Sequence, residues 1–326
     1  MAIFTRVNCC KCDAAWKKQF EYYEEKNKSR RNGFLGEKPL LTNSETQKAI
    51  IEGIEGDGGF FASRFGENEL GTICEVLKGQ YRLNVRERRR RYYALCNNAG
   101  FFPNNSKSIE KYSELMIESM SKIDLHGAWP LYMEDYFRDL YFPNARCSYF
   151  GDFEPYGVEK GEKPWSSALK GKKVLVIHPF AELIEEQYAN RRTELFSKCF
   201  ENPDDILPLF KLETLKAVQT IAGNRDERFT TWFEALDWMS EECEKREFDV
   251  AIVGCGAYGF PLSAKIKQSG KKVIQLCGAT QILFGIMGQR WNYIPGISNI
   301  KNEFWVIPGD REAVRNCNKI EGGCYW

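Results

Sequence analysis

The segment FDVAIVGCGAYGFPLSAKIKQSGKKVIQLCG, residues 248–278, constrains the fold most strongly. An apolar strand, a glycine-rich turn, a helical stretch and a second apolar strand follow one another, which is the pattern of a βαβ crossover between parallel strands. An earlier apolar run, Val174–Ile177, is flanked by lysines and predicts another buried parallel strand. Strands that alternate with helices predict an α/β fold, Rossmann-like, with a mostly parallel sheet flanked by helices.

The first half of the chain carries mostly helical patterns, whereas the strongest strand patterns lie in the second half. We expect an N-terminal extension over 1–44, a helix-rich lobe over 45–165, a Rossmann-like lobe over 166–300 and a C-terminal tail over 301–326. With 326 residues, 43% of them hydrophobic, the chain can bury the core of two small domains or of one large domain over residues 45–300.

Charge and hydropathy exclude some partners. Lys and Arg number 46 against 45 Asp and Glu, which leaves a net charge of +1 and no global footprint for nucleic acid. The N-terminus lacks a signal-peptide core, and no later run approaches the ~20 apolar residues of a membrane span, so a cytoplasmic protein is expected. The densest basic patch, Arg86 and Arg88–Arg91, predicts a solvated helix face, with peripheral contact to an anionic acceptor or membrane surface as the alternative.

The twelve cysteines are scattered and several lie in strand-like runs, which favours buried free thiols over a disulfide framework. Cys9, Cys10 and Cys12 form the one tight cluster. No second pair or nearby histidine completes a zinc site there.

The segment FFASRFGENEL, residues 60–70, predicts a strand that ends in an acidic turn. In extended backbone Glu67 and Glu69 point the same way and can converge on one Mg²⁺ or Mn²⁺ ion. Alternatively, the two acids open the following helix, where the helix dipole favours negative charge. A second pair, Asp152 and Glu154, has the same spacing and competes for the metal role.

The motif GCGAYG matches G-x-G-x-x-G between a predicted strand and a predicted helix. Such a loop lets backbone N–H groups approach a phosphate, so we predict cofactor-binding positions at Gly254, Gly256, Ala257, Tyr258 and Gly259. The next strand ends in Gln-Leu-Cys and offers no acid for a ribose, which weakens NAD but not phosphate binding. The alternative is that the glycines only permit a tight turn.

Two histidines are the remaining candidates. His178 closes the strand VLVIHPF and is expected at the carboxyl edge of the sheet, where it contacts a phosphate, acts as a general base or simply packs at the strand end. His126, in IDLHGAWP, is expected at a helix end, and two isolated histidines form no metal triad.

The run RFGENE, followed by a helical middle and the late strand–loop–helix–strand unit, resembles the GT-D-type glycosyltransferases of bacterial surface-polysaccharide and adhesin biosynthesis. The corresponding motif of that family reads approximately R-F-G-D-G-E, and its two carboxylates bind a metal that holds a nucleotide-diphosphate sugar. Arg64 and Gly66 match directly. Glu67 takes the place of the aspartate, Glu69 that of the glutamate, and Asn68 replaces a glycine.

The resemblance implies a hexosyltransferase that uses Mn²⁺ or Mg²⁺, a nucleotide-sugar donor and a glycan or glycoconjugate acceptor. The metal at Glu67 and Glu69 would act as a Lewis acid on the leaving phosphate, with help from Arg64. Asp57, Asp152 and His178 are the candidates for the base. Two alternatives stay open: a nicotinamide-dependent oxidoreductase built on GCGAYG, and a non-catalytic nucleotide- or sugar-binding protein.

Overall fold

The computed structural model describes residues 33–79, 85–129, 131–158, 161–320 and 322–326. Two short strands, β1 (Phe34–Leu35) and β2 (Lys38–Pro39), form an antiparallel hairpin. The described residues also form a seven-stranded sheet of β3 (Phe60–Arg64), β4 (Leu125–Ala128), β5 (Arg146–Tyr149), β6 (Lys173–His178), β7 (Lys211–Lys216), β8 (Val250–Val253) and β9 (Lys272–Gln275). All its neighbouring strands are parallel, in the order β5-β4-β3-β9-β8-β6-β7.

Helices connect these strands and cover both faces of the sheet. They are α1 (Asn43–Glu55), α2 (Glu67–Gly79), α3 (Val85–Ala99), α4 (Ser106–Met120), α5 (Glu134–Tyr141), α6 (Ala181–Arg191), α7 (Pro203–Ile206), α8 (Trp232–Glu244), α9 (Gly259–Gln268), α10 (Ala279–Leu283) and α11 (Pro295–Ser298). Helices α1 and α8 begin with capping boxes, in which Thr42 and Thr231 exchange hydrogen bonds with the residue three positions on. Such boxes satisfy N–H groups that the first turn leaves without partners.

Alternate residues of the central strands enter opposite layers of the core. In β6, Leu175 and Ile177 pack with α2, α3, α4, α8 and α9, whereas Val174 and Val176 pack with α1, α6, α10 and the C-terminal segment. Because both faces of the sheet are buried, its central strands are continuously apolar. The predicted α/β fold with a mostly parallel sheet flanked by helices is confirmed.

The sheet joins the two halves of the chain. Strands β3–β5 come from the first half and β6–β9 from the second, and the halves meet where β3 pairs with β9, with Phe60 opposite Lys272. The two predicted lobes therefore share one sheet. The C-terminal tail packs against it through buried Trp305, Ile320 and Trp326.

The direction in which successive strands are added to the sheet reverses between the neighbouring strands β6 and β8. After β6 the chain moves outward to β7, whereas after β8 it crosses through α9 to β9 on the other side. Ligands of open α/β sheets bind at such switch points, outside the carboxyl ends of the strands. His178 ends β6 and Gly254 follows β8, so both lie at this position.

The predicted helix end at His126 is wrong, because this residue lies in β4, which is completely buried. Its Nδ1 is 3.0 Å from Oγ of Ser63, and its Nε2 is 2.9 Å from Oε1 of Glu134. A four-residue strand that contains Gly127 carries little strand signal, and pairing with β3 and β5 on either side supplies its stability. His126 is therefore a packed core histidine.

The nine described cysteines are free, and most are buried or half-buried, in agreement with the prediction. Cys9, Cys10 and Cys12 lie outside the described residues, as does most of the predicted N-terminal extension. Within the described ranges, no helix combines the length and the apolar character needed to cross a membrane.

Candidate functional site

A cavity of about 730 Å³ lies at the carboxyl ends of β3, β9, β8 and β6. This volume lies within the range of small-molecule sites. The cavity is lined by most of the residues singled out from the sequence, namely Arg64, Glu67, Glu69, His178, Gly254, Gly256, Ala257 and Tyr258. Two motifs that are far apart in the chain therefore meet there, because only β9 separates β3 from β8.

Arg64, the last residue of β3, is a buried cation in the cavity wall. Its Nη1 donates to the carbonyl of Leu276 at 3.4 Å, and its Nη2 lies 3.5 Å from Oε1 of Glu154. The Nε and Nη2 groups form no hydrogen bonds with the described residues. Since buried N–H groups without acceptors are costly, an anionic ligand in the cavity would stabilise this side chain.

The acidic turn differs from the predicted extended geometry. Extended backbone ends before Glu67, where α2 begins, so Glu67 and Glu69 both lie in the first helical turn. Side chains two residues apart on a helix diverge by about 200°, which means that the assumption of two parallel carboxylates is wrong. The alternative prediction, that these acids open the helix, is the one observed.

The two glutamates occupy different environments although both line the cavity. Glu67 is 62% exposed and forms an ion pair of 3.1 Å with Arg91 of α3. The carboxylate of Glu69 folds back over Gly66, where a Cβ atom would collide with its Oε2. Burial raises the pKa of Glu69, and the neighbouring charge of Glu67 acts in the same direction.

The donor set suits a hard divalent cation in part. Carboxylate oxygens of Glu67, Glu69 and Glu154 line the cavity, and Mg²⁺ or Mn²⁺ commonly takes one or two carboxylates together with water and phosphate oxygens. Among the residues that the structure describes, no group of three or more His, Cys, Asp or Glu is arranged to hold a metal. Oxygen atoms of a substrate phosphate would therefore have to complete the coordination.

The hydrogen bonding of His178 makes its ring a hydrogen-bond donor toward the cavity rather than the predicted base. Its Nδ1 accepts from the backbone N–H of Phe180 at 3.0 Å, which leaves the proton of the neutral ring on Nε2. Burial lowers the pKa of His178 to about 3. At neutral pH the ring is uncharged, and it offers an N–H group to the cavity that it lines.

The other two candidate bases lie away from the cavity. Asp57 is exposed just before β3, at the edge of the sheet opposite to the cavity. Asp152 faces α1, where its Oδ1 accepts from Asn43 at 3.0 Å and its carbonyl accepts from Gln47 at 2.7 Å. Its neighbour Glu154 lines the cavity instead, because residues 150–153 form a 3₁₀ turn that separates the directions of the two side chains. Burial raises the pKa of Glu154, which the charge of Arg64 partly offsets.

The glycine loop combines a tight turn with a helix N-terminus. A Cβ atom at Gly254 would collide with the carbonyl of Cys277, and Gly256 has a φ of +58°. Helix α9 begins at Gly259, directly behind the lining residues. Tyr258 stacks its ring on Trp232 in the core at 5.0 Å, so its contribution to a ligand would come from the backbone. The geometry of the loop is compatible with both predictions for GCGAYG, a tight turn that requires glycine and a helix N-terminus that binds phosphate.

Sequence reasoning missed the aromatic residues of the cavity mouth. Trp129 follows β4, Tyr149 ends β5 and Phe150 comes next, and all three line the cavity. The rule that ligands bind at the carboxyl ends of parallel strands could have identified them once β4 and β5 were placed in the sheet.

The cavity thus offers a buried cation, neutral N–H donors and three carboxylates, which together suit a phosphorylated, metal-bound ligand. Comparisons of the chain with protein-family models, curated proteins and solved structures find no match.

Proposed function

We propose that this chain is a metal-dependent glycosyltransferase of the hexosyltransferase type, which moves a sugar from a nucleotide-diphosphate donor to a glycan or glycoconjugate acceptor. The observation that carries the proposal is the meeting of the RFGENE turn and the GCGAYG loop at one cavity. The resemblance to the glycosyltransferases of surface-polysaccharide biosynthesis supports this activity. An acceptor carried by a membrane lipid would bring the protein into peripheral contact with that membrane.

The spacing of the strands suits a nucleoside diphosphate. Strands β3 and β8 lie two positions apart, which corresponds to about 9.6 Å between Arg64 and the glycine loop across the sheet. In the proposed pose the diphosphate lies between Arg64 and the N-terminus of α9, where the first N–H groups of the helix favour negative charge. Such an arrangement supplies acceptors to the Nε and Nη2 groups of Arg64.

The residues of the chain would act mainly by electrostatics. Arg64 stabilises negative charge that develops on the leaving phosphate, and the Nε2–H of His178 is available as a further donor. Because Glu67 and Glu69 diverge, one of these carboxylates would hold a divalent cation together with oxygen atoms of the diphosphate, and the chemistry of that cation is to offset the charge of the diphosphate as a Lewis acid. The buried surroundings of Arg64 and His178 strengthen the interactions of these two side chains because little water screens them.

A calorimetric titration tests this proposal. The purified protein is titrated with UDP, GDP and NAD⁺, each with and without Mn²⁺, and compared with the double variant Glu67→Gln/Glu69→Gln. Glu110→Gln, an exposed glutamate of α4, is the matched control. We expect manganese-dependent binding of one nucleoside diphosphate to the wild type and the control, and loss of that binding in the double variant. Metal-independent binding of NAD⁺ alone, or no binding at all, would contradict the proposal.

A non-catalytic nucleotide- or sugar-binding protein is the second candidate. The observation in its favour is the ion pair between Glu67 and Arg91, which occupies one of the two carboxylates expected to hold the metal. Glu69→Ala separates the two functions. An enzyme loses sugar transfer in this variant while its fold is kept, whereas a binding protein shows no transfer even as the wild type.

A further inference from the structure

Three aromatic side chains stand together at one end of the cavity mouth, and we call Trp129, Tyr149 and Phe150 the aromatic ledge. Trp129 is 40% exposed and Tyr149 is 49% exposed. The ring of Trp129 stacks on Phe150 at 5.1 Å with an interplanar angle of 26°, and Tyr149 meets Phe150 edge-on at 4.7 Å. The ledge is therefore an ordered surface that leaves large aromatic groups in contact with water.

The sheet order places the ledge on the far side of Arg64 from the glycine loop. The ledge lies at the ends of β4 and β5, whereas the loop follows β8, and β3 lies between them. If the diphosphate of the donor lies between β8 and β3, as the proposed function requires, the next strand positions face the sugar and whatever receives it. The distance from β3 to β5 is about 9.6 Å, which is enough for one sugar ring beyond the donor.

The chemistry around the ledge suits a sugar ring. A pyranose presents an apolar face of C–H groups and a rim of hydroxyls, and an aromatic ring that is partly exposed can cover the first while leaving the second to polar groups. Polar partners are close, because the guanidinium carbon of Arg64 lies 5.6 Å from the centre of the Phe150 ring and Glu154 lies 3.5 Å from Arg64. Both polar side chains line the same cavity.

We propose that the aromatic ledge is the acceptor subsite, where a pyranose ring stacks on Trp129 and Tyr149 and directs its reacting hydroxyl to the carboxylate of Glu154. This inference rests on the proposed function. It assigns the acceptor a chemical class, a sugar with a free hydroxyl, and it assigns the role of base to a residue that is inside the cavity, unlike Asp57 and Asp152.

The transfer step then balances without an external reactant. A lone pair of the acceptor hydroxyl oxygen forms the bond to the anomeric carbon of the donor sugar. The bond between that carbon and the phosphate oxygen breaks, and its electron pair stays on the diphosphate. The hydroxyl proton passes to Glu154, so the products are the new glycoside, the nucleoside diphosphate and a protonated carboxyl group.

Saturation-transfer difference NMR tests the subsite. The probes are methyl β-glucoside, methyl β-galactoside and methyl β-N-acetylglucosaminide, added to the protein in the presence of UDP or GDP and Mg²⁺. Trp129→Ala and Tyr149→Ala remove parts of the ledge. Tyr93→Ala is the matched control, because Tyr93 is 61% exposed on α3 and does not line the cavity. Nucleotide binding by each variant is measured separately by calorimetry.

We expect at least one methyl glycoside to give difference signals with the wild type and Tyr93→Ala, and to bind about tenfold more weakly to the ledge variants, the effect of losing one stacked ring. Nucleotide binding should stay unchanged in all of them. Glu154→Gln should keep the glycoside signals but slow transfer to that glycoside about 100-fold or more, and the residual transfer should lack the acidic limb of the wild-type pH profile.

The contrary outcomes are distinct. Absence of glycoside signals, or signals that persist in both ledge variants, overturns the subsite while leaving nucleotide binding and the proposed function in place. Loss of UDP or GDP binding in the ledge variants means that the ledge holds the nucleoside, which also overturns it. Ledge-dependent glycoside binding by a protein that binds no nucleoside diphosphate overturns the proposed function and the acceptor role together.

Discussion

Substitution of Arg64 tests directly whether the cavity is an anion-binding site. We consider the double variant Arg64→Met/Glu154→Gln, which removes both charges of the pair at 3.5 Å while keeping similar volume. Breaking an ordinary buried ion pair by removing one partner costs about 3–5 kcal/mol, whereas replacing both partners is often neutral or stabilising. Here Nε has no acceptor among the described residues and Nη2 meets Glu154 only at 3.5 Å, without a hydrogen bond, so the wild type gains little from the pair.

The magnitude follows from the contacts of the guanidinium. Each N–H group without an acceptor costs about 1–3 kcal/mol. The contacts that the variant loses are a long hydrogen bond of 3.4 Å and two ring contacts at 5.6 Å, each worth about 1 kcal/mol or less. We therefore expect the free energy of unfolding of the double variant to equal that of the wild type or to exceed it by about 1–2 kcal/mol.

Denaturant unfolding with and without pyrophosphate measures both consequences. At 100 times its dissociation constant, pyrophosphate should stabilise the wild type by about 2.7 kcal/mol and leave the double variant unchanged. Arg146→Met/Glu52→Gln, which removes an exposed ion pair of 3.0 Å, is the control and should keep the pyrophosphate effect. A double variant that loses about 3 kcal/mol or more, or that responds to pyrophosphate like the wild type, would refute the reasoning.

Two further predictions concern His178 and Gly66. Because burial lowers the folded-state pKa of His178 to about 3 from an ordinary value of 6.5, its contribution to stability is complete above pH 6.5 and is lost as the pH falls toward 3. At pH 5 the loss in the free energy of unfolding is about 2 kcal/mol. His178→Gln should remove this loss from the difference between the free energies of unfolding measured at pH 7 and pH 5. An unchanged difference would contradict the assignment of a buried, neutral ring to His178. Gly66→Ala should displace the carboxylate of Glu69 and weaken manganese-dependent nucleotide binding, while stability changes by about 1 kcal/mol or less because only a side-chain end must move. Gly296→Ala, where a methyl group meets open space, should change neither property, and equal nucleotide affinity in both variants would show that Glu69 is not needed.

The sequence predicted the elements whose signals are local. The apolar runs of β6, β8 and β9 and the glycine turn between β8 and α9 carry their own pattern, and the fold class followed from them. The position of His178 at the cavity edge followed in turn, because the carboxyl ends of parallel strands share one edge. Strand β4 escaped detection because four residues with a central glycine owe their conformation to their neighbours in the sheet.

Side-chain directions were less predictable than backbone elements. The carboxylates of Glu67 and Glu69 diverge because helix α2 already begins at Glu67, so both residues lie in its first turn. A short 3₁₀ turn likewise sends Asp152 toward α1 and Glu154 into the cavity. Sequence spacing does not encode such changes of one or two residues in backbone conformation, although they decide which carboxylates share a site.

The position of β9 in the sheet also has a consequence for the nascent chain. Strand β3 leaves the ribosome early, but its pairing partner β9 follows about two hundred residues later, which takes ten seconds or more at ordinary rates of synthesis. During that interval one side of β3 presents unpaired N–H and C=O groups, which is the kind of open edge that promotes aggregation. We therefore expect the first half of the chain, expressed alone, to aggregate or to need a chaperone, and the native sheet to close late in translation.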